Sequence, residues 1–477
     1  MSLKKNIAYS SILTGSLYIF QFLTYPYVAR VLGVTNVGVC NYVQSIVQFF
    51  CLFSMMGINT LGVREIAKCN GNKIKLCETY TRLLCLNLLF TFVVSCIYIV
   101  CIETIEKFHP YRTMMYISLF QLIFGTFAIE WFFKGIEEFK YITIRTLIIR
   151  ILYVISVFVF VQDETDTQKY WLICCLIFVA NGLININYSR RFVKIKRVAI
   201  KSIFKYLVPF VFLGTQLILT SFYTTFNKIF LGYTCGEAEI GYYTTATKIE
   251  SVILALYTSF TVVMMPRISS LIESNDKERV QKLIRQSIEL LLAFSIPCIY
   301  FVEFYAEYIV LLISGVGFEG AITPMRIVIP LVLIIGIEQI FIVQILIPFR
   351  ADKQVFINSI IGASVGLSLN FILVPFFQSI GSSIVWVAGE LSVLLSACFF
   401  IKKYMPDIAL VNDLFRYLVA FSALIAIYCL ISQSEIGFMF KTALGGIATL
   451  LYTHLILFYV IKNSSYIMIV KSIRRKK

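Results

Sequence analysis

Between residues 7 and 461 the chain offers one apolar window after another, each about 20 residues long, the length an α-helix needs to cross a hydrocarbon core about 30 Å thick. Fourteen such windows can be drawn, at 7–31, 39–62, 83–102, 114–133, 143–161, 171–188, 206–231, 240–265, 287–313, 325–349, 355–376, 382–401, 414–432 and 440–461. Lipid offers no partner to a free backbone N–H or C=O, so windows of this length read as helices. Of 477 residues 59% are apolar and 14% charged, too much apolar surface for the interior of an aqueous fold to hide. The expected class is an all-α, polytopic integral membrane protein with about fourteen transmembrane helices.

Charge orients it. Lys and Arg number 42 against 26 Asp and Glu, a formal charge of +16. In a membrane chain such an excess marks cytoplasmic loops, and no nucleic acid is implied. With the N-terminus in the cytoplasm, only Arg30, Lys107, Arg112, Lys169 and Lys441 fall outside, while the segments 190–205, 267–285 and 462–477 carry the heaviest basic load inside. Both termini are therefore expected to be cytoplasmic. Lys4-Lys5 before an apolar run resembles a signal peptide, but no small-x-small cleavage site follows, so the run reads as an uncleaved first span. The 13 cysteines form no C-x-x-C pair and only His109 and His454 are present, which argues against a zinc site. No phosphate loop of the G-x-x-x-x-G-K-[ST] type occurs, and no loop is long enough for a separate soluble domain.

Spacing suggests an internal repeat. Gly38 precedes Arg64 by 26 residues, and Gly241 precedes Arg267 by the same 26, an offset of 203. Upstream, Arg30 with Gly33 is matched to Lys228 with Gly232. Phe133-Lys134-Gly135 ends the fourth window as Phe349-Arg350-Ala351 ends the tenth. This equates spans 1–6 with spans 7–12, and because six is even both halves enter the membrane in the same direction, a parallel repeat. The domains expected are residues 1–205 and 206–403, each a six-helix bundle, and 404–477, two further spans with a basic tail.

Polar residues recur where lipid would penalise them. Thr14, Tyr18, Gln21 and Tyr25 share a face of the first window; Asn41, Gln44 and Gln48 lie in the second; Thr220, Thr224 and Lys228 in the seventh; Thr244, Thr247, Lys248, Glu250 and Ser251 in the eighth. Any one of these can serve helix packing, but stripes on equivalent spans of both halves suggest a hydrated cavity. A charge at mid-bilayer costs about 2.5–3.5 kcal/mol even on lenient scales, so each ionisable residue there needs a reason. Arg30, Lys228, Lys248 and Arg326 are candidate cations for a multiply charged anion, Arg by bidentate hydrogen bonds and Lys as a point charge. Gln21, Tyr25 and Asn41 are candidate contacts to sugar hydroxyls and faces. Glu338, Glu390 and Glu250 are candidate proton or cation sites.

At these residues the chain resembles a known family. Pro26-Tyr27-Val28-Ala29-Arg30-Val31-Leu32-Gly33, then Gly38, then Gly62-Val63-Arg64-Glu65-Ile66-Ala67, is similar to the N-terminal signature of Wzx-type polysaccharide flippases. Trp131 with Gly135, and Gly241-Tyr242-Tyr243 with Ala246, resemble later motifs. The resemblance implies the fold of the multidrug/oligosaccharidyl-lipid/polysaccharide superfamily, with two MATE-like six-helix bundles around a central cavity and two extra C-terminal helices. It implies transport, not enzymatic catalysis: an undecaprenyl-diphosphate-linked oligosaccharide, an O-antigen or capsular repeat unit, is moved by alternating access from the cytoplasmic to the outer leaflet of a bacterial inner membrane. No cofactor is implied beyond a coupling proton or sodium ion, and a partner would be polysaccharide polymerase machinery. In the related lipid II flippases arginines of spans 1, 2 and 8 carry function; Arg30 matches the first, whereas span 2 has only polar residues and span 8 has Lys248. The competing readings are a drug or cation exporter of the same superfamily, which would want an acidic, aromatic cavity, and an integral-membrane polysaccharide polymerase, which would want a large outside loop.

Overall fold

The computed structural model describes residues 3–69, 71–405, 410–463 and 466–467, so the basic tail beyond 467 and the side chains of Thr14 and Tyr18 lie outside the described residues. No strand occurs among them. Among the described residues twelve helical stretches are long and apolar enough to cross a membrane. Two of the expected pairs run together: window 7–31 and most of 39–62 fall on continuous helix of 53 residues, and 355–376 and 382–401 on one of 50 residues. Fifty residues of helix extend about 75 Å, more than twice the hydrocarbon thickness, so neither stretch fits as one straight crossing. Each is broken at a single residue, Gly33 (φ 72°, ψ 171°) and Gln378 (φ 51°, ψ −126°). At the second break the chain folds sharply back, since a Cβ on Gly381 would lie 2.6 Å from the carbonyl oxygen of Leu373, eight residues away and about 12 Å along an unbroken helix.

The chain divides into two compact units, Met1–Gly241 and Tyr242–Lys477. The first contains α1 (Leu3–Met55), α2 (Ile58–Ala67), α3 (Lys73–Thr104), α4 (Arg112–Thr126), α5 (Glu130–Gly135), α6 (Phe139–Phe160), α7 (Thr167–Ser189), α8 (Ile200–Phe204), α9 (Leu207–Ser221), α10 (Thr225–Cys235) and the start of α11 (Glu237–Glu273). The motif residues are packing residues here. A Cβ on Gly62 would meet the Trp131 ring at 2.5 Å, and one on Gly135 would meet Ile66 at 2.6 Å, so α2 and α5 touch through bare backbone. Around them Ile58, Leu61, Tyr80, Leu83, Phe132, Phe133 and Phe210 form the core of this end. Polar pairs tie other helices together where no water competes. Asn87 donates to the Ser54 carbonyl at 2.8 Å, and the hydroxyls of Ser54, Thr91 and Thr126 form a chain with 2.7 and 2.6 Å links across α1, α3 and α4. Trp171 Nε1 donates to the Met114 carbonyl at 2.9 Å, joining α7 to α4.

The repeat acquires a geometric basis in this unit. Gly33 finds its counterpart in Gly236 (φ 94°, ψ 179°), at the same offset of 203 that relates Gly38 to Gly241. Only glycine enters this positive-φ, extended region at low cost. Gly232, matched to Gly33 from the sequence, instead faces Tyr42 and Ile240. The contacts are reciprocal as well. A Cβ on Gly38 would lie 1.8 Å from the Glu237 carbonyl oxygen, and one on Gly241 would lie 2.4 Å from that of Val34. Val34 and Glu237 are themselves 203 apart, so residue and partner exchange roles as in a two-fold contact.

The second unit continues α11 and adds α12 (Lys277–Ser314), α13 (Ile322–Val328), α14 (Leu331–Gln339), a π-helical turn at Ile340–Leu346, α15 (Asp352–Ile401), α16 (Leu410–Phe421), α17 (Ala423–Ser432) and α18 (Phe438–Leu455). The last three pack on α12: Gly445 sits against the Tyr305 ring, and Tyr300 donates to the Leu418 carbonyl at 3.3 Å. Tyr428 and Thr449 share a 2.6 Å hydrogen bond between α17 and α18.

Because the atom facing Gly38 is backbone, it cannot swing aside. Gly38→Ala and Gly241→Ala are each expected to destabilise the protein by about 2 kcal/mol, an overpacking cost. Gly15→Ala, where no atom lies within 4 Å, is expected to be neutral or slightly stabilising. Thermal unfolding of the detergent-purified variants checks the ranking.

Candidate functional site

Charged groups within spans divide into those that reach the surface and those that are sealed in. In the first unit Arg30 is exposed on α1, three residues before the break at Gly33, and Gln21 is exposed two turns earlier. Tyr25 is buried, and Lys228 is half-buried on α10. Asn41 is half-buried and donates to the Val37 carbonyl of its own helix at 2.7 Å. Thr224 similarly donates to Thr220, and Ser251 of the second unit to Thr247, at 3.0 and 2.8 Å. Part of three of the four polar stripes thus satisfies its own helix backbone.

In the second unit Lys248 is half-buried about three turns into α11. Glu250 is buried and accepts a hydrogen bond from the Ser251 hydroxyl at 3.1 Å. Arg326 is exposed on α13, within electrostatic reach of Glu303 on α12. The structure does bring Glu338 and Glu390 together. They lie on α14 and on the second limb of α15, 52 residues apart in sequence, close enough for their charges to interact. Glu390 Oε1 also accepts from Trp386 Nε1 at 3.0 Å, and Gln339 Nε2 donates to Thr258 Oγ1 of α11 at 3.0 Å. Directly after Gln339 the helix widens into the π-turn, a distortion frequent at functional positions. Gln344 in that turn is fully buried, with neither amide atom hydrogen-bonded.

Arg145 carries no signal in the sequence. It is 5% exposed on α6 and donates to Glu130 at 3.1 Å and to Thr146 at 2.8 Å, while Lys134 approaches the other oxygen of Glu130 at 3.2 Å. Arg150, on the same helix, donates to the Leu13 carbonyl at 2.9 Å and to the Ser16 hydroxyl. Nothing in the local pattern points to Arg145, because its partner lies 15 residues back across a turn.

Residues 3–272, more than half of the chain, match the family described as polysaccharide biosynthesis protein, and residues 213–372 match the MatE family. The chain is 23% identical over 408 residues to a protein of Escherichia coli strain K12 named "Putative O-antigen transporter", covering 84% of this chain and 97% of that one. A Shigella dysenteriae protein of the same name is 24% identical over 274 residues, covering 56% and 68%. Among solved structures, the lipid II flippase MurJ in an inward closed conformation superposes with a TM-score of 0.75 at 14% identity, covering 95% of this chain and 98% of that one. An inward-facing multidrug resistance MATE transporter gives 0.63 at 13% identity, covering 83% and 96%. These two likenesses show the fold.

The acid pair makes a stability prediction. Glu390→Ala leaves the Trp386 Nε1 donor without its acceptor, an expected cost of about 1–3 kcal/mol. Glu390→Gln keeps an acceptor oxygen for Trp386 and is expected to cost less than about 1 kcal/mol. Thermal unfolding in detergent separates the two.

Proposed function

Since the chain belongs to the polysaccharide biosynthesis protein family, we propose that this multi-pass membrane protein is a flippase for a polyprenyl-diphosphate-linked oligosaccharide. Its substrate is an O-antigen or capsular repeat unit carried on undecaprenyl diphosphate, which it moves by alternating access from the cytoplasmic to the outer leaflet of the inner membrane. The observation that carries this reading is the relation to the O-antigen transporter of Escherichia coli, which extends over nearly the whole of that relative. The fold shared with the lipid II flippase agrees with it. Arg30, Lys228, Lys248 and Arg326 neutralise the diphosphate in the course of transfer, while Gln21, Tyr25 and Asn41 contact the sugar. The basic bias of the segments between spans supports cytoplasmic termini, and polysaccharide polymerase machinery is the partner that receives the product.

Glu338 and Glu390 couple transfer to an ion gradient, and the proton is the ion their closeness suits. The Trp386 N–H already occupies one carboxyl oxygen of Glu390, and two acids close enough for their charges to interact are relieved by a proton on either one. Glu250, buried on α11, is the third candidate acid. The MatE match over 213–372 favours a drug exporter as the second reading, and an uptake or efflux assay with cationic dyes distinguishes it.

Two expectations follow for cells. Arg30→Ala and Lys248→Ala should each remove surface polysaccharide at unchanged membrane levels of the protein, measured by glycan staining beside an immunoblot; normal export in both variants would remove the cationic role. Glu338→Gln with Glu390→Gln should make transfer insensitive to an imposed pH gradient, read in everted vesicles. A response that persists, or one that follows sodium instead, would assign coupling elsewhere.

A further inference from the structure

A groove between α6 and α7 of the first unit is unused by the mechanism above. Its volume is about 740 Å³, and Ile144, Ile148, Leu152, Ile173, Leu176 and Ala180 are among the apolar residues of its walls. Its lining follows α6 from Lys140 to Phe160, twenty residues or about 30 Å, the full thickness of the hydrocarbon core. A phospholipid chain reaches only about half that depth, about 15 Å, so one occupant able to fill the groove needs a chain longer than a leaflet.

The two ends differ in chemistry. At the Lys140 end the rings of Tyr141 and Tyr188 stack at 3.7 Å, and the Arg191 guanidinium lies 5.0 Å from the centre of the Tyr188 ring. A second hollow of about 400 Å³ opens there, sharing Tyr141 and Tyr188 with the groove and bounded by Asn187, Arg190 and Arg191. Glu138 is the one acid on the lining of the groove. Glu130 nearby is engaged by Lys134 and Arg145, and among the described residues no ion pair involves Lys140, Arg190 or Arg191. Three cations thus stand at the mouth of a long apolar channel. Arginine forks and a lysine suit phosphate oxygens, and the aliphatic walls suit an isoprenoid chain.

We infer that this groove receives the polyprenyl tail of the lipid-linked substrate before transfer, with its phosphate head at Lys140, Arg190 and Arg191 until the headgroup passes to the cations assigned above. The inference rests on the flippase reading for the identity of the lipid. It places tail recognition on α6 and α7, apart from the residues assigned to the headgroup above.

The test is native mass spectrometry of the full-length protein in detergent with undecaprenyl phosphate as the probe. Wild type should retain the lipid, while Ala180→Trp, which fills the channel, and the surface variant Arg190→Ala with Arg191→Ala should each bind about tenfold more weakly, equivalent to about 1.4 kcal/mol. Farnesyl phosphate, with the same head and a short tail, should also bind at least about tenfold more weakly. Unchanged binding in the two variants, or equal competition by phosphatidylglycerol, would overturn the assignment and leave the groove a site for ordinary bilayer lipid. Flipping by the same preparations in proteoliposomes separates the two readings. Wild type that binds the probe in the groove but moves no lipid-linked oligosaccharide would overturn the flippase reading alone, and a working flippase indifferent to Ala180→Trp in binding would overturn the groove alone.

Discussion

A carbonyl oxygen can press against a helix only where the facing residue has no side chain, and this molecule uses that rule twice in one place. Gly38 receives the carbonyl of Glu237, and Gly241 receives that of Val34. The four residues form two pairs at one offset, each a few positions beyond a glycine that breaks the helix in the same φ,ψ region. The contact has little to do with hydrophobic burial, which drives nothing between helices already in lipid; it depends on close backbone approach between small residues, the main source of helix association in a bilayer. It also explains why a repeat almost erased from the sequence survives as spaced glycines, since a side chain at either position would collide with immobile backbone.

Lipid imposes the second rule, that polar groups must be satisfied by the protein. The hydroxyl chain from Ser54 to Thr126 and the Tyr428–Thr449 pair follow it between helices, and Asn41 and Thr224 follow it within one. Buried ionisable groups follow it in opposite ways. Arg145 and Glu130 answer charge with charge, whereas Glu338 and Glu390 set two acids near one another. A pair of like groups adds nothing to packing that an amide would not supply as well, which is why we propose proton exchange for it and see in the Arg145 cluster a tie that holds the end of the first unit together.

Much of the fold was legible because the physics that produces it has a length scale. Windows of about 20 apolar residues are spans in any sequence, and the interhelical breaks fell close to where the windows stopped. The joined pairs were not legible, because a reversal at Gln378 takes one residue and leaves no loop, and Gln carries no turn signal. Matching Gly33 to Gly232 followed the local likeness of Arg30 and Lys228; the strict offset of 203 points instead to Gly236. At the site, the meeting of Glu338 with Glu390 depends on how α14 lies against the returning limb of α15, and no periodicity within either segment contains that information. Arg145 escaped notice for the same reason. The stripes show the converse limit: a Thr or Asn that bonds its own helix and one that faces a hydrated space have the same spacing.

The central claim is that this chain alone carries a lipid-linked oligosaccharide across a bilayer. Purified protein reconstituted into liposomes, with a fluorescently labelled undecaprenyl-diphosphate oligosaccharide in the inner leaflet and a membrane-impermeant quencher outside, measures it directly. The account predicts quenching that grows with time and with the number of protein copies per vesicle, at a rate well above that of protein-free liposomes. Equal rates with and without the protein, under an imposed proton gradient of either direction, would contradict it.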